Sequence, residues 1–212
     1  MDYWIYALLC IAWCTLHSTM ISTPVTDHLK RRLGSGFRFY RLFFNMVAVA
    51  TVTPLFLCFQ AEPFFRWEGH LIIGQVCLFV IVGFLFIAGM RHYDLLQFLG
   101  IRQIRDGASN SLLSKSGRLD STGILGATRH PWYLAAMIAF WLGPMSTLAI
   151  IRNTIMTAYV LVGTLLEERK LVAEFGEEYR QYQKRVSMLI PYRWTRGRLQ
   201  RFLRNERSET EG

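Results

Sequence analysis

The chain has 212 residues, 52% of them hydrophobic, and a positive mean hydropathy of +0.23. A chain of this length that is so apolar is not an ordinary soluble domain. Its formal net charge is +9, and in a membrane protein such basic charge reports topology and lipid contact more often than nucleic-acid binding. We therefore expect membrane lipids, and no nucleic acid, among its partners.

Five apolar stretches predict an all-α, polytopic membrane protein, since about 20 apolar residues are needed to cross the hydrocarbon core. The predicted spans are residues 3–23, 42–59, 70–90, 132–150 and 154–166. Only Arg152-Asn153 separates the last two, so we predict a C-terminal helical hairpin whose second helix is the short one. We expect no cleavable signal peptide, because the first apolar stretch follows Met1-Asp2 without a basic start.

The basic residues are segregated along the chain. Of the 24 lysines and arginines, 22 precede residue 42, lie between the third and fourth spans, or follow residue 166. The positive-inside rule places these segments in the cytoplasm and the N-terminus outside. The tail at 192–212 is predicted as a basic amphipathic helix on the inner leaflet, with a solvated, frayed terminus as the equal alternative. We expect the membrane domain to cover residues 1–191.

The polar groups of the first span do not predict a metal site. The four cysteines all fall in apolar stretches, which favours buried thiols over disulfides. Cys10, Cys14 and His17 share one helical face, but two packed thiols and a hydrogen-bonded histidine explain that pattern better than a metal does. His17 beside Ser18 is of interest because both residues are polar and lie near the end of a span.

Ionisable groups stand at both feet of the predicted hairpin, where they are costly and therefore candidates for function. Arg129 and His130 precede the fourth span, and Glu167 and Glu168 follow the fifth. A tight hairpin would bring these ends together, and carboxylates and aromatic faces both attract a cation. Topology charges with helix-capping roles explain the same residues equally well, so physics alone leaves both interpretations open.

A resemblance favours the first interpretation. The residues that carry it are Arg129-His130-Pro131-Trp132-Tyr133 and Glu167-Glu168-x-x-Leu171-x-x-x-Phe175-Gly176-x-x-Tyr179-x-x-Tyr182. They resemble the isoprenylcysteine carboxyl methyltransferase and phospholipid methyltransferase superfamily, membrane enzymes that use S-adenosylmethionine. The chain resembles in particular the membrane-bound bacterial methanethiol S-methyltransferases. That likeness rests on His17-Ser18, Tyr40 to Asn45, Tyr93 to Leu95, Phe98 to Gly100, Phe140-Trp141, Pro144-Met145, Met156 to Tyr159 and Arg185 to Pro191.

The resemblance implies a set of cofactor-binding residues for S-adenosylmethionine. These are His130, Pro131, Trp132, Tyr133 and Glu167, with Glu168 as a further candidate. The carboxyl methyltransferases have a substrate-binding arginine where this chain has Gly163 and an aromatic residue where it has Leu125. Both departures argue against a prenylcysteine carboxylate as substrate.

The function so implied is transfer of a methyl group to a small thiol, such as methanethiol, giving a thioether such as dimethyl sulfide. Because the thiolate is the nucleophile, a base or a cationic neighbour is useful, and we predict His17 and Arg129 for this role. Two alternatives stay open: methylation of a lipid amine or a prenylcysteine carboxylate, and a non-catalytic membrane protein of haem or nitrogen-oxide metabolism. The resemblance implies the bacterial inner membrane as location and leaves the oligomeric state open.

Overall fold

A computed structural model describes residues 2–106 and 119–200 of the chain. The helices are α1 (Tyr3–Ile21), α2 (Thr23–Leu33), α3 (Tyr40–Leu57), α4 (Leu71–Met90), α5 (Leu95–Leu99), α6 (Ile101–Asp106), α7 (Pro131–Phe140) and α8 (Thr147–Arg185). Two 3₁₀ helices lie at Gly34–Phe39 and Gly123–Gly126, and a further helical stretch occupies 192–200. No strand occurs within the described ranges, which confirms the all-α prediction. Lys115 and Arg118 of the basic loop, and 201–212 of the predicted tail, lie outside them.

Four helical segments are long and apolar enough to cross a membrane. They are Tyr3–Ile21, Thr23–Leu57, Leu71–Met90 and Thr147–Arg185. Large apolar side chains along α4 are exposed, for example Ile73 at 69% and Val80 at 65%, as expected for contact with lipid. The chain is therefore an integral membrane protein. α7 has 10 residues and a length of about 15 Å, half of the hydrocarbon core, so the count of five spans stays a prediction.

The turn of the C-terminal hairpin lies at 141–146, whereas the sequence predicted it at Arg152-Asn153. Gly143 and Pro144 disfavour helix there, and the Ser146 hydroxyl caps the start of α8 by accepting a hydrogen bond from the Ala149 amide at 3.2 Å. Arg152 and Asn153 lie inside α8, where the Arg152 guanidinium sits 4.1 Å above the centre of the Phe56 ring. The short helix of the hairpin is thus α7, the first rather than the second.

α8 reverses its direction at Gly176. This glycine has φ 57° and ψ −128°, a conformation that residues with a Cβ rarely adopt. In a straight helix Glu168 and Tyr179 would be about 16 Å apart, yet the Tyr179 hydroxyl donates to the Glu168 carboxylate at 2.6 Å. The second arm of α8, residues 177–185, therefore folds back against the end of the first arm, 147–175.

Two short backbone pairings fix the ends of the hairpin. We call the end of the hairpin that holds its turn the far end, and the end where α7 begins the near end. At the far end, Met145 and Phe65 form an isolated antiparallel bridge, which pairs the turn with the loop after α3. At the near end, Thr128 and Ser187 form a parallel bridge. The near-end bridge holds the start of α7 against the segment that follows α8, and the candidate site lies there.

Candidate active site

Glu168 is the centre of a buried polar cluster at the near end of the hairpin. Its side chain is 8% exposed. Its Oε1 accepts hydrogen bonds from Arg129 Nε at 3.0 Å, His130 Nε2 at 2.7 Å and the Tyr179 hydroxyl at 2.6 Å, and its Oε2 from Arg129 Nη2 at 2.7 Å and Gln183 Nε2 at 2.6 Å. Two of these donors stand at the start of α7, the other two lie in the second arm of α8, and Glu168 itself lies in the first arm. The carboxylate therefore connects the three segments.

The charge state of Glu168 follows from its surroundings. The charged residues of α8 after Arg152 begin at Glu167, so Glu168 lies outside the membrane-spanning part of the helix. Burial by itself would raise the pKa of Glu168, but the hydrogen bonds from His130, Arg129 and the other donors outweigh it and lower the pKa to about 2. Glu168 is therefore an anion at neutral pH.

Arg129 is committed to this cluster. Besides its two bonds to Glu168, its Nη1 donates to the carbonyls of Gln183, at 3.1 Å, and Val186. Its backbone amide donates to the Ser187 carbonyl at 3.0 Å. A guanidinium used in this way fixes the geometry of its anion and the surrounding backbone. Arg129, which the sequence predicted as a catalytic residue, thus has the surroundings of a structural clamp.

Glu167, the neighbour of Glu168, has a very different environment. Its Oε2 atom is buried and, among the described residues, has no hydrogen-bond partner. The carboxylate faces the Tyr133 hydroxyl. Burial raises the pKa of Tyr93, and the nearby Glu167 carboxylate adds to that shift. A buried, unsatisfied carboxylate oxygen is costly, so this atom is suited to a ligand that brings a hydrogen-bond donor or a positive charge.

The aromatic residues after His130 divide between two neighbours. The His130 and Tyr133 rings stack with centroids 5.5 Å apart and planes 10° from parallel, which directs Tyr133 to the face that carries Glu167. Trp132 points instead to α4, where its Nε1 donates to the Phe86 carbonyl at 3.0 Å. Trp132 packs so closely on Gly89 that a Cβ there would lie 2.4 Å from Nε1. It therefore joins α7 to α4.

A second polar cluster lies between α1 and the first arm of α8. The Tyr159 hydroxyl is 2.7 Å from His17 Nδ1 and 3.0 Å from Ser18 Oγ. The His17 ring also contacts the rings of Trp13 and Phe44, with centroids 5.0 and 4.8 Å away. Polar groups between spanning helices need such partners, and here they meet inside an aromatic cage.

Arg41 lies close to both His17 in the second polar cluster and Tyr133 beside Glu167. Its guanidinium interacts electrostatically with His17 and with Tyr133, and Nε donates to the Phe98 carbonyl at 3.3 Å. In the sequence, Arg41 was not singled out as a site residue and stood within the segment from Tyr40 to Asn45 that carries the family resemblance. Its position at the start of a span, beside Tyr40, is the signal that could have singled it out.

The structure brings together some of the predicted site residues and separates others. Arg129, His130 and Glu168 form one cluster, and Tyr133 and Glu167 a neighbouring one. No contact joins His17 to Arg129 in the part of the chain that the structure describes. Tyr159, which sequence reasoning did not single out as a site residue, is the partner of His17, 142 residues away. Among the described residues, no group of three or more histidine, cysteine or acidic side chains is placed to hold a metal ion.

Comparison with known proteins identifies relatives over part of the chain. The chain is 39% identical over 108 residues to methanethiol S-methyltransferase 1 of Bradyrhizobium diazoefficiens, and 38% identical over 101 residues to the methanethiol S-methyltransferase of Pseudomonas deceptionensis. It is 30% identical over 155 residues to the Mycobacterium tuberculosis protein of that name. No family model and no solved structure matches the chain.

These relatives confirm the resemblance to membrane-bound methyltransferases. The matches cover 49%, 47% and 69% of this chain. The corresponding shares of the relatives are 35%, 37% and 62%, so the chain spans less than two thirds of the length of each.

Proposed function

We propose that this chain, a relative of the methanethiol S-methyltransferases, transfers the methyl group of S-adenosylmethionine to a small thiol. The proposal rests on the buried Oε2 of Glu167, which has no hydrogen-bond partner in the described part of the chain. A carboxylate side chain near Tyr133 and Tyr93 suits a ligand with an ammonium, a sulfonium and hydroxyl donors. The names of the relatives supply the methyl transfer and the thiol.

The residues present fit the proposed cofactor. Glu167 would accept hydrogen bonds from it or balance its positive charge, and Tyr133 and His130 would offer stacked ring faces. Glu168 would not contact the cofactor itself, because its five hydrogen bonds all come from protein groups. It would hold His130 and the start of α7 in place. S-adenosylmethionine, when bound, supplies a methyl group that a sulfur nucleophile can take directly.

The protein's own part in the reaction is to position and to exclude water. Holding the thiol in line with the methyl carbon replaces a bimolecular encounter, and the apolar walls of the hairpin strengthen charge interactions within the site. The thiol must also lose its proton. We assign proton acceptance to His17, and we assign to Arg41, rather than Arg129, the cationic neighbour that favours a thiolate.

We further propose that the near end of the hairpin faces the cytoplasm. The chain is basic before α3, between α4 and α7, and after residue 166, and the positive-inside rule assigns such segments to the cytoplasm. S-adenosylmethionine is made and kept in the cytoplasm, so this orientation gives it access. The N-terminus then lies outside, in a bacterial inner membrane, and the helical stretch at 192–200 rests on the inner leaflet.

A titration tests the cofactor assignment. Purified protein in detergent is titrated with S-adenosylmethionine by calorimetry, in the wild type and in Glu167→Gln. We expect the wild type to bind and the variant to bind at least about tenfold more weakly, since it loses a buried charge interaction worth more than about 1.4 kcal/mol. Glu174→Gln is the matched control, because Glu174 is an exposed carboxylate on the same helix.

The outcomes separate the parts of the proposal. Equal affinity in the wild type and Glu167→Gln would remove Glu167 from the site. Absence of binding by the wild type would overturn the cofactor itself. A loss of affinity in Glu174→Gln as large as in Glu167→Gln would point to a general charge effect instead of a contact.

A further inference from the structure

Three residues of α8 lie on one face of the helix at intervals of four: Tyr159, Gly163 and Glu167. Residues four apart are neighbours on a helix surface, so Gly163 lies between the Tyr159 hydroxyl, which contacts His17, and the Glu167 carboxylate. A Cβ built on Gly163 meets no atom of the described residues within 4 Å. The missing side chain therefore leaves open space between the two polar groups.

Tyr133 connects the face that carries Gly163 with the candidate site. Its hydroxyl interacts electrostatically with Glu167 and with Tyr159, although these residues stand two helical turns apart on α8. Tyr133 therefore lies on the side of α8 that carries Tyr159 and Glu167. Tyr159, Gly163 and Glu167 are all partly buried, so this face lies at the edge of the packed core.

We propose that the acceptor thiol binds in the space beside Gly163, and that the pair of His17 and Tyr159 takes up its proton. The inference rests on the function proposed above. It adds an acceptor subsite and two residues: Tyr159 as a positioning residue for His17, and Gly163 as the determinant of acceptor size. The acceptor would then approach from the His17 end and the methyl donor from the Glu167 end.

The hydrogen bonds define how the proton moves. If His17 Nδ1–H donates to the Tyr159 oxygen, and the Tyr159 hydroxyl donates to Ser18 Oγ, then His17 Nε2 keeps a free lone pair. In the described part of the chain, Nε2 has no hydrogen-bond partner. The thiol proton passes to Nε2, the sulfur forms its new bond to the methyl carbon, and the old carbon–sulfur bond breaks with its electron pair left on the donor sulfur. The imidazolium then releases the proton to water, so atoms and charge balance.

The size of the space predicts which thiols are accepted. A glycine removes one side chain from a helix face, which leaves room for an acceptor of a few heavy atoms. Each added methylene in a closely fitting apolar pocket changes discrimination by roughly 10- to 200-fold. A side chain at position 163 should therefore lower kcat/KM for larger thiols more than for smaller ones.

A substitution series tests the subsite. Gly163→Ala and Gly163→Val are assayed with methanethiol and ethanethiol, and the affinity for S-adenosylmethionine is measured by titration. We expect kcat/KM for ethanethiol to fall at least about tenfold more than that for methanethiol, with cofactor affinity within about twofold of wild type. Alanine favours a helix over glycine, so misfolding would not explain a loss in Gly163→Ala.

Gly83 gives the matched control. It lies inside α4, and a Cβ there also meets no atom within 4 Å. Gly83→Ala and Gly83→Val should leave both thiols unaffected. Equal losses for the two thiols in the Gly163 variants, or no losses, would overturn the subsite.

A second variant tests the proton step. Tyr159→Phe should lower kcat/KM for ethanethiol by about 100-fold, because His17 is no longer held in the tautomer that accepts the thiol proton and general base catalysis is lost, and it should leave cofactor affinity unchanged. The deficit should shrink at least about tenfold with 2,2,2-trifluoroethanethiol, which has the same carbon chain but ionises more readily. It should also shrink as the pH rises. A deficit that is the same for both thiols and at every pH would mean that Tyr159 only supports the fold.

These results are distinguishable from a failure of the proposed function. A wild type that methylates no thiol fails at the proposed function. If the wild type methylates thiols but the Gly163 and Tyr159 variants show no thiol-dependent change in kcat/KM, the proposed function stands. In that case only the acceptor subsite is overturned.

Discussion

At the scale of single residues, two adjacent glutamates have opposite environments. Glu168 receives five hydrogen bonds, whereas a carboxylate oxygen of Glu167 is buried and unsatisfied within the described residues. Consecutive residues point about 100° apart on a helix, so one faces the reversal of α8 and the other faces Tyr133. The sequence placed both in the site but could not separate their roles, because the reversal that occupies Glu168 depends on Gly176.

The pH dependence of stability should report on Glu168. Its folded pKa of about 2 lies below the unfolded value of about 4.3, so its contribution is fully present above the unfolded pKa and is lost as pH falls toward 2. The shift corresponds to about 3 kcal/mol at neutral pH. Thermal unfolding in detergent should show wild type well above Glu168→Gln at pH 7, with a gap that narrows from pH 5 to 3.

Glu174→Gln provides the control for that measurement, since its side chain is exposed. Its unfolding temperature should follow that of the wild type at every pH. A gap between the wild type and Glu168→Gln that does not change with pH would contradict the assigned charge state of Glu168.

At the scale of helices, the hairpin was predictable but its turn was not. Apolar runs predicted spans 132–150 and 154–166, and the structure has α7 and α8 in their place. Arg152 and Asn153 suggested a turn because they are polar. Inside α8, Arg152 lies over the ring of Phe56, which is distant in sequence, and Asn153 donates to the sulfur of Met145 across the turn. Such contacts are invisible to local pattern, whereas Gly143-Pro144 was a local signal that marked the turn.

The reversal at Gly176 should depend on glycine. Gly176→Ala places a Cβ at φ 57° and ψ −128°, a sparsely populated conformation that costs about 1–3 kcal/mol, although no described atom crowds the position. We expect a lower unfolding temperature in detergent and, because the second arm carries Tyr179 and Gln183, weaker binding of S-adenosylmethionine. Gly83→Ala, inside a helix with ordinary φ, should be neutral or slightly stabilising. Equal stability of Gly176→Ala and wild type would show that the arm does not need this conformation.

At the scale of the whole molecule, the two bridges separate the ends of the bundle. Phe65 and Met145 join the loop after α3 to the turn after α7, and Thr128 and Ser187 join the chain before α7 to the segment after α8. If α7 and its linker cross the membrane together, both pairings agree with the five-span topology. Hydropathy and charge segregation predicted the membrane class. They could not predict the contact of His17 with Tyr159, which depends on how α1 and α8 pack.

The predicted topology can be measured by cysteine labelling in cells. A cysteine at Glu62 or at Gly143, in a background without native cysteines, should react with a membrane-impermeant maleimide from outside. A cysteine at Arg91 or at Gln200 should react only after the cells are opened. Labelling of positions 62 and 143 on opposite sides would contradict the five-span topology. Labelling of position 200 from outside would contradict the orientation.

The central claim, methyl transfer to a small thiol, is tested most directly by turnover. Purified protein is given S-adenosylmethionine with a labelled methyl group, together with methanethiol, a prenylcysteine or a phospholipid, and each product is followed separately. Labelled dimethyl sulfide from wild type, with its rate lost in Glu167→Gln and kept in Glu174→Gln, is the predicted result. Label in the prenylcysteine or the phospholipid instead, or in none of the three, would contradict it.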